Sequence, residues 1–557
     1  MEYYYTNERN AQIVIALLKE HNIKKVIISP GATNICLCYS IQQDGYFEIY
    51  SAPDERSAAY MACGLSAESG ETVVLSCTGA TSSRNYMPAL TEAYYRKLPI
   101  LVITSSRRNC YIGHNRDQVT DRRVLPHDVA KLSVQCPVVF DSLSEWDCMI
   151  SVNKAILELQ RDGGGPVHIN LETQYSKDFS VKKLPPVRVI HRITIEDIFP
   201  IINAKKIIVR VGSHEKWDKK LMALVDVFCE KYGAVVVCDH TSNYKGKYRI
   251  LANLLVQQKN FISVISNVDL IIDIGNVAAP ITGIETKSVW RINPDGEIRD
   301  TYMKLEYVFE MSEKMFFSKM LEGKNEIVQN ILFDECKNEL LQLYAICKEK
   351  MLEIPFSNVW IAHQTISKLP ENSVLHLGIN NSLRTWNYFE LSENVLGYSN
   401  TGGYGIDGSL STVIGASLAD KTKIYFCVLG DLAFFYDMNV LGNRHVDNNV
   451  RILLINNDGG VEFKRSNNLG ALFGEAVDDY IGAKGHYGDK TTEVVKAYVQ
   501  NLGFEYLSAS TKEEYKEAMN RFVALEKLDK PIVFEVFTES SDEVDACKMI
   551  LELYGSE

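Results

Sequence analysis

The feature that most constrains the fold is a rhythm that recurs in three blocks of the chain. Each block repeats a short run of β-branched and apolar residues, then turn residues, then a helical pattern. Runs that are apolar throughout are typical of parallel strands covered by helices on both faces of the sheet. We therefore predict an α/β fold of three doubly wound parallel-sheet domains. The predicted strands are residues 25–29, 72–77, 100–104 and 167–171, then 207–211, 234–238, 270–274 and 289–292, then 374–377, 424–429, 451–455 and 532–537.

Two stretches separate these blocks. The first is Leu184-Pro185-Pro186, and the second is a charged, helical stretch at residues 325–353. Consecutive prolines end regular structure and mark a connection. We predict domains over residues 1–185, 186–345 and 346–557. Helical spacing of apolar residues predicts helices over residues 57–67, 221–231, 333–351 and 512–526.

Composition excludes some function classes. The formal net charge of −12 argues against a nucleic-acid binder, which would carry a basic patch. No apolar run approaches the roughly 20 residues that span a bilayer. The first ten residues lack the basic and apolar regions of a signal peptide. The 13 cysteines have no disulfide-framework spacing, so we expect reduced thiols in a soluble, cytoplasmic protein without membrane or nucleic-acid partners.

Glu55 is the first candidate for chemistry. It lies in Asp54-Glu55-Arg56-Ser57, at the head of a helical pattern of small and apolar residues. A glutamate in this position commonly does no more than complement the helix dipole. A carboxylate in an apolar cleft would instead have a pKa raised toward neutrality, which suits a proton relay. The sequence alone leaves both interpretations open.

A second candidate lies at two predicted strand ends. Gly430-Asp431 follows the strand at 424–429, and Asn456-Asn457-Asp458-Gly459-Gly460 follows the strand at 451–455. Open α/β sheets bind ligands at the carboxyl ends of their strands. The Asp431 carboxylate, the Asn457 amide and the Gly459 carbonyl would supply three oxygen ligands to Mg²⁺, which diphosphate oxygens and water could complete. Turns rich in Asp, Asn and Gly are also ordinary strand endings.

A glycine-rich loop adds a third candidate. Residues 403–408 spell GxGxxG, and Asp431 lies 23 residues beyond Gly408, which superficially fits a dinucleotide-binding fingerprint. The preceding residues 391–401 do not predict a buried strand, so a close backbone approach to a flat cofactor is favoured, with Ile406 as an apolar prop. His114 and Gln118 lie in a polar loop after the strand at 100–104, whereas Glu462 and His486 have no supporting context.

Four motifs in order give the chain a family resemblance. It resembles the thiamine diphosphate (ThDP)-dependent 2-oxo acid decarboxylases and carboligases, and within them the SEPHCHC synthases of the menaquinone pathway. These motifs are DERSA, GIDG followed by ST, GDL with D-x-N, and NNxGG, found here at residues 54–58, 405–412, 430–439 and 456–460. The resemblance runs from Ser29-Pro30-Gly31 to about residue 463, and the middle block matches in pattern only.

The resemblance implies a role for each matched position. Glu55 is similar to the glutamate that activates the aminopyrimidine of ThDP, and Ile406 to the apolar residue that forces ThDP into its V shape. Gln118 is similar to an active-site glutamine of the family, and we expect His114 and Gln118 to handle protons on the reaction intermediate. The implied Mg²⁺ ligands are Asp431, Asn457 and Gly459, and the implied cofactor contacts are Gly405, Gly430, Leu432, Gly460, Asn381 and Ser382.

The chain also departs from the family pattern. Thr33 replaces an arginine of the SPGSRS motif, and Asn400-Thr401 replaces an Asn-Arg pair before the GIDG loop. Arg384 lies only two residues beyond Ser382, so that family arginine is displaced. In the family such arginines hold the carboxylates of isochorismate and 2-oxoglutarate, and threonine cannot replace a bidentate arginine. We therefore expect the cofactor machinery to be retained and the acceptor site to differ, outside menaquinone synthesis.

These observations predict an enzyme. The predicted reaction is ThDP- and Mg²⁺-dependent decarboxylation of a 2-oxo acid, followed by protonation of the resulting acyl-anion equivalent or its addition to a carbonyl acceptor. The family places its pyrimidine-binding and diphosphate-binding domains opposite each other across subunits, which implies a homodimer or a dimer of dimers. Alternatives are a non-catalytic paralogue, a ThDP-dependent lyase or hydrolase acting on another substrate, and an NAD-linked dehydrogenase.

Overall fold

Three parallel β-sheets, one for each block of apolar runs, organise the computed structural model. The structure describes residues 4–279, 282–466, 468–487, 490–526 and 528–555. Met1–Arg192 with Ile298–Val308 form one compact unit, and Ile193–Glu297 with Phe309–Glu557 form a second. The first unit holds one sheet and the second unit holds two, so the predicted class of three parallel-sheet α/β domains is confirmed.

The first sheet has the strand order β2-β1-β3-β4-β6-β5, and its pairings are parallel. All side chains of β3, β4 and β6 are buried, because helices cover both faces of these central strands. The strands are Lys25–Ile28 (β1), Glu48–Ser51 (β2), Val73–Thr78 (β3), Ile100–Ser106 (β4), Leu132–Cys136 (β5) and Val167–Glu172 (β6). The helices of this unit are Arg9–Glu20 (α1), Ile35–Gln43 (α2), Glu55–Ser69 (α3), Ser82–Asn85 (α4), Met87–Arg96 (α5) and Ser142–Glu158 (α6).

The second unit begins with a sheet in which five strands run in the order β10-β9-β8-β11-β12. These five strands pair in parallel. Its strands are Ile207–Val211 (β8), Ala234–Cys238 (β9), Arg249–Leu251 (β10), Asn267–Ile274 (β11) and Glu285–Ile292 (β12), and the short strands His191–Ile193 (β7) and Leu305–Phe309 (β13) lie where the chain passes between units. Its helices are Lys219–Tyr232 (α7), Asn253–Val256 (α8), Glu313–Leu321 (α9) and Ile331–Lys350 (α10).

The third sheet has the order β15-β14-β16-β17-β19-β18 and is also parallel. In it Gly430 lies beside Ile455, so the carboxyl ends of β16 and β17 are neighbours. The strands are Val374–Leu377 (β14), Leu396–Tyr398 (β15), Tyr425–Gly430 (β16), Val450–Asn456 (β17), Glu505–Ala509 (β18) and Ile532–Phe537 (β19). The helices are Asn358–Thr365 (α11), Asn381–Trp386 (α12), Ser409–Ser417 (α13), Asp431–Asp437 (α14), Thr492–Asn501 (α15), Lys512–Phe522 (α16) and Ser540–Leu551 (α17).

The predicted domain boundaries stay predictions. The one at residue 345 lies inside α10, and the chain ends at residues 1–3 and 556–557 lie outside the described residues. Among the described residues, no helix combines the length and apolar character needed to cross a bilayer.

Candidate active site

Asp431 is the first residue of α14 and directly follows β16. Its side chain is buried, and its two carboxylate oxygens accept hydrogen bonds from the backbone N–H groups of Leu432 (2.7 Å) and Gly459 (2.9 Å). Burial raises the pKa of Asp431 to about 6, although these N–H groups favour the ionised form. A divalent cation beside this carboxylate would favour its ionised form further.

Asn457 supplies a second oxygen at the end of the neighbouring strand. It is only 7% exposed, and its amide Oδ1 is buried without a hydrogen-bond partner. A buried amide oxygen without a partner is unfavourable by itself. With the Asp431 carboxylate at the end of the adjacent strand, the donor set of carboxylate, amide oxygen and backbone carbonyl is the kind that a hard cation prefers. The described residues therefore fit Mg²⁺.

Backbone conformation holds these groups in place. Gly459 has a φ of +143°, and a Cβ there would lie 2.8 Å from the Gly482 carbonyl oxygen. Gly460 donates its N–H to the same oxygen at 2.6 Å. Because glycine alone tolerates both the angle and the close approach, the turn after β17 depends on Gly459.

A cavity beside Asp431 contains a residue that the sequence did not single out. Leu432, Gly459 and His486 line this cavity with Glu535 of β19. Glu535 is fully buried, accepts hydrogen bonds from Asn456 (2.7 Å) and Tyr506 (2.8 Å), and has a pKa raised by burial to about 7. The available signal was a lone carboxylate within the apolar run Ile532–Phe537.

The glycine-rich loop joins two of the motifs. Ile406 is half-buried and packs against the core of the third sheet, and a Cβ at Gly405 would lie 2.4 Å from Asp407 Oδ1. In the helix that follows, Ser411 donates its backbone N–H (2.6 Å) and its hydroxyl (2.5 Å) to the Asp437 carboxylate. The GIDG…ST and GDL…D-x-N motifs are therefore joined by hydrogen bonds.

The strand before this loop was not predicted from the sequence. It has three residues, Leu396–Tyr398.

Asn381 and Ser382 lie at the start of α12. Ser382 is buried, and Asn381 Oδ1 accepts a hydrogen bond from the guanidinium of Arg465 at 3.1 Å. Arg465, which the sequence analysis missed, is buried and also donates to the Tyr388 hydroxyl at 3.1 Å. The displaced Arg384 forms an ion pair with Glu462, so its charge is already neutralised.

In the first unit, Glu55 is the first residue of α3. Asp54 caps the helix by accepting the backbone N–H of Ser57 at 2.7 Å, which leaves the Glu55 carboxylate free of capping. Glu55 is half-buried, and its Oε2 accepts a hydrogen bond from the Asn85 amide at 3.2 Å. Asn85 is a polar contact of Glu55 that sequence reasoning missed.

His114 and Gln118 lie in the loop after β4, as predicted, and both are exposed. Gln118 has a positive φ of 58°. No hydrogen bond in the described part of the chain links either side chain to Glu55. Thr33 is buried, where its hydroxyl contacts the Thr78 hydroxyl and donates to the Ser105 carbonyl at 2.6 Å.

Comparison with known proteins identifies the class. The family model for the thiamine pyrophosphate enzyme N-terminal TPP binding domain matches residues 9–124. Three parallel α/β sheets with a magnesium-type donor set and this N-terminal match define a ThDP-dependent enzyme.

Full-length relatives identify the family. A protein of Phocaeicola vulgatus is 30% identical over 97% of both chains, and one of Bacteroides fragilis is 30% identical over 98% of both. A protein of Desulfotalea psychrophila is 27% identical over 93% of this chain and 96% of its own. Each is named 2-succinyl-5-enolpyruvyl-6-hydroxy-3-cyclohexene-1-carboxylate (SEPHCHC) synthase. The chain belongs to this family of ThDP-dependent 2-oxo acid decarboxylating carboligases, whose cofactors are ThDP and Mg²⁺. This membership overrides the dinucleotide-binding interpretation of residues 403–408.

Proposed function

We propose that the chain decarboxylates a 2-oxo acid and transfers the acyl group to a carbonyl or enone acceptor, in a site that two copies of the chain complete. The observation that carries this proposal is that the buried, unpartnered Asn457 Oδ1 belongs to the turn whose Gly459 N–H binds the buried Asp431 carboxylate, at the carboxyl ends of adjacent strands. A hard cation is the kind of partner that such oxygens bind.

The second unit would hold the cofactor. Asp431, Asn457 and the Gly459 carbonyl would bind Mg²⁺, and bound ThDP would supply the electron sink for loss of CO₂. Ile406 packs against the core of the third sheet and would contact the cofactor so that it adopts its V shape. The remaining proposed contacts come from loops and helix starts that surround the cation ligands: Gly405, Gly430, Leu432, Gly460, Asn381 and Ser382.

The first unit would supply proton transfer. Glu55 would exchange a proton with the aminopyrimidine ring, because its carboxylate is not used in capping and has only the Asn85 amide as a hydrogen-bond partner. His114 and Gln118 would handle protons on the reacting substrate, which their positions in an exposed loop allow.

A homodimer, or a dimer of dimers, would bring the two units of different subunits together. Exposed apolar side chains lie beside each half of the site: Tyr60 (48% exposed) and Met61 (47%) on α3, and Leu469 (73%) and Leu472 (78%) after the Gly459-Gly460 turn. Apolar surface of this kind marks an interface. All 13 cysteines are free thiols and Cys110 alone is exposed, which supports a cytoplasmic location.

The substrates would differ from those of the named relatives. The name of these relatives specifies a product with a succinyl group and a cyclohexene carboxylate. At the positions where the resemblance places arginines, this chain has the buried Thr33 and Thr401, and Arg384 is paired with Glu462. Without free cations at those positions, a different acceptor is favoured.

The experiment is a coupled assay of CO₂ release from a panel of 2-oxo acids. The panel contains pyruvate, 2-oxobutanoate, 2-oxoglutarate, 3-phosphonopyruvate and 3-sulfopyruvate, each with and without ThDP and Mg²⁺. The proposal expects release from at least one acid that requires both cofactors and that Asp431→Ala abolishes. Release that persists in Asp431→Ala would contradict the proposed cation site.

A further inference from the structure

Glu535 is a carboxylate in the middle of a buried strand. It is fully buried, and the other residues of β19 are apolar. A carboxylate in such surroundings is unfavourable unless it is paired or hydrogen-bonded. Within the ranges that the structure describes, no lysine, arginine or histidine nitrogen lies within 4.0 Å of its oxygens. An ion pair with these residues therefore does not account for the carboxylate in this strand.

The register of the third sheet brings two polar side chains to this carboxylate. Glu535 lies beside Leu454 of β17 and Ser508 of β18. Side chains two residues apart on a strand share one face of the sheet, so Asn456 and Tyr506 are diagonal neighbours of Glu535 on that face. Asn456 Nδ2 donates to Glu535 Oε1 at 2.7 Å, and the Tyr506 hydroxyl donates to Oε2 at 2.8 Å. Both carboxylate oxygens therefore have a donor.

Asn456 joins this carboxylate to the turn that carries two of the proposed cation ligands. Its Oδ1 accepts the backbone N–H of Asp458 at 3.4 Å. The next residue, Asn457, contributes the buried Oδ1 that has no hydrogen-bond partner. Gly459 of the same turn donates its N–H to the Asp431 carboxylate at 2.9 Å. A chain of side-chain hydrogen bonds thus runs from β18 through β19 to this turn.

The carboxylate fixes the orientation of the Asn456 amide. An ionised carboxylate only accepts hydrogen bonds, so it must face the NH2 end of the amide. In that orientation the amide oxygen faces the Asp458 N–H. If the amide were reversed, its oxygen would face a carboxylate oxygen and its NH2 group would face an N–H, and both hydrogen bonds would be lost. The conformation of the turn therefore depends on an acceptor at residue 535.

We infer that Glu535 is a positioning residue for the divalent cation: through the Asn456 amide, it holds the turn after β17 so that both proposed ligands of that turn face the cation. This role rests on the proposed function, because it concerns the cation site placed there. It also accounts for a lone carboxylate in an apolar strand, since residues outside the ligand shell commonly orient the ligands. Tyr506 holds the carboxylate from the opposite side.

The test is the Mg²⁺ affinity of the full-length chain at saturating ThDP, measured by calorimetry. Glu535→Leu removes both acceptor oxygens and should weaken Mg²⁺ binding by roughly 10- to 100-fold, the loss typical of residues that orient metal ligands. Glu535→Gln keeps an acceptor oxygen for the Asn456 NH2 group and should restore most of the affinity. If the carboxylate acted through its charge alone, Glu535→Gln would bind Mg²⁺ as weakly as Glu535→Leu.

A double-mutant cycle shows whether Glu535 acts through Asn456. Asn456→Leu should weaken Mg²⁺ binding by a similar factor, and adding Glu535→Leu to it should weaken binding no further. If the two residues affected the site independently, their losses would add. Asn449→Leu is the matched control, because Asn449 is a buried asparagine at the other end of β17 whose amide donates to Ser417 and Lys423. This control should bind Mg²⁺ as the wild type does.

Tyr506→Phe provides a test that does not depend on the folding of Glu535→Leu. It removes one donor to the carboxylate and should weaken Mg²⁺ binding by roughly 2- to 10-fold, the worth of one hydrogen bond. Tyr515→Phe is its control in the same unit, since the Tyr515 hydroxyl contacts the Thr365 hydroxyl at 2.6 Å and not the turn. This control should keep the wild-type affinity.

The outcomes separate this role from the cation site itself. If the wild type binds Mg²⁺ and Asp431→Ala does not, while Glu535→Leu binds as tightly as Asn449→Leu, the cation site stands and the positioning role is overturned. The role is also overturned if Glu535→Gln binds as weakly as Glu535→Leu, or if the losses in the cycle add. If the wild type binds no Mg²⁺ in the presence of ThDP, the cation site and the positioning role both fail.

Discussion

Asn457→Leu should have opposite effects on the cofactor-free and the cofactor-loaded protein. In the cofactor-free protein, the substitution removes a buried amide oxygen that has no hydrogen-bond partner. Leaving such a group unsatisfied costs about 1–3 kcal/mol, and leucine fills a similar volume. We therefore expect the free energy of unfolding of the cofactor-free variant to equal or exceed that of the wild type.

With cofactor bound, the wild type should have a higher free energy of unfolding than Asn457→Leu. Asn457 is one of three proposed Mg²⁺ ligands, and outer-shell residues alone change metal affinity by about 10- to 100-fold. At cofactor concentrations 100 times the wild-type Kd, loading stabilises the wild type by about 2.7 kcal/mol. A 100-fold weaker affinity would reduce that gain to about 0.4 kcal/mol.

Asn449→Leu is the matched control in the same unit. Asn449 is also buried and its Oδ1 also has no hydrogen-bond partner, but its amide NH2 group donates to the carbonyls of Ser417 (3.3 Å) and Lys423 (3.2 Å), which would lose these bonds. This variant should lose stability equally with and without cofactor and should keep the full cofactor gain.

Thermal unfolding with and without ThDP and Mg²⁺ measures both effects, since 1 kcal/mol shifts Tm by about 2–4 °C for domains of about 150–250 residues. The reasoning is refuted if Asn457→Leu is destabilised as much as Asn449→Leu while keeping the wild-type cofactor gain.

Three further predictions concern Glu55 and the proposed Mg²⁺ ligand Asp431. Glu55→Gln should lower turnover by roughly 10²- to 10⁴-fold while ThDP still binds. The control is Glu71→Gln, which changes an exposed carboxylate of the same unit and should leave turnover unaffected. Near-normal turnover of Glu55→Gln would remove Glu55 from the mechanism. Asp431→Ala should abolish Mg²⁺-dependent ThDP binding in calorimetry, and the exposed Asp420→Ala should bind normally; equal affinities would contradict the ligand assignment. Because burial raises the pKa of Asp431 to about 6, its protonated form stabilises the metal-free protein below about pH 4 and this contribution is lost as the pH rises through 6. Mg²⁺ binds the ionised form, so the Mg²⁺-dependent affinity for ThDP should fall as the pH drops below about 6; an unchanged affinity at pH 5 would argue against Asp431 as a ligand.

The sequence predicted the central strands because they are buried on both faces and therefore apolar throughout. The strands that it missed are short or lie at edges. Glu48–Ser51 is exposed along its whole length, and Glu505–Ala509 is mostly half-buried, so neither has a continuous apolar run. Leu396–Tyr398 was missed for the same reason, which is why the glycine-rich loop seemed to lack a preceding strand.

The proposed metal ligands could be predicted because they follow strands that are consecutive in the sequence and adjacent in the sheet. Asp431 and Asn457 follow successive strands of a parallel sheet, so their proximity could be derived from the spacing of the runs. Glu535 and Arg465 could not be found in this way. Their partners are distant in sequence, at Asn456 and Asn381, and each is a charged residue whose burial only the fold determines.

The most direct test of the central claim is CO₂ release from the 2-oxo acid panel, measured with ThDP and Mg²⁺ together and with each omitted. We predict release from one acid that requires both cofactors, which would also identify the donor. If no acid releases CO₂ even when carbonyl and enone acceptors are present, or if release continues without ThDP and Mg²⁺, the proposed 2-oxo acid decarboxylation is contradicted.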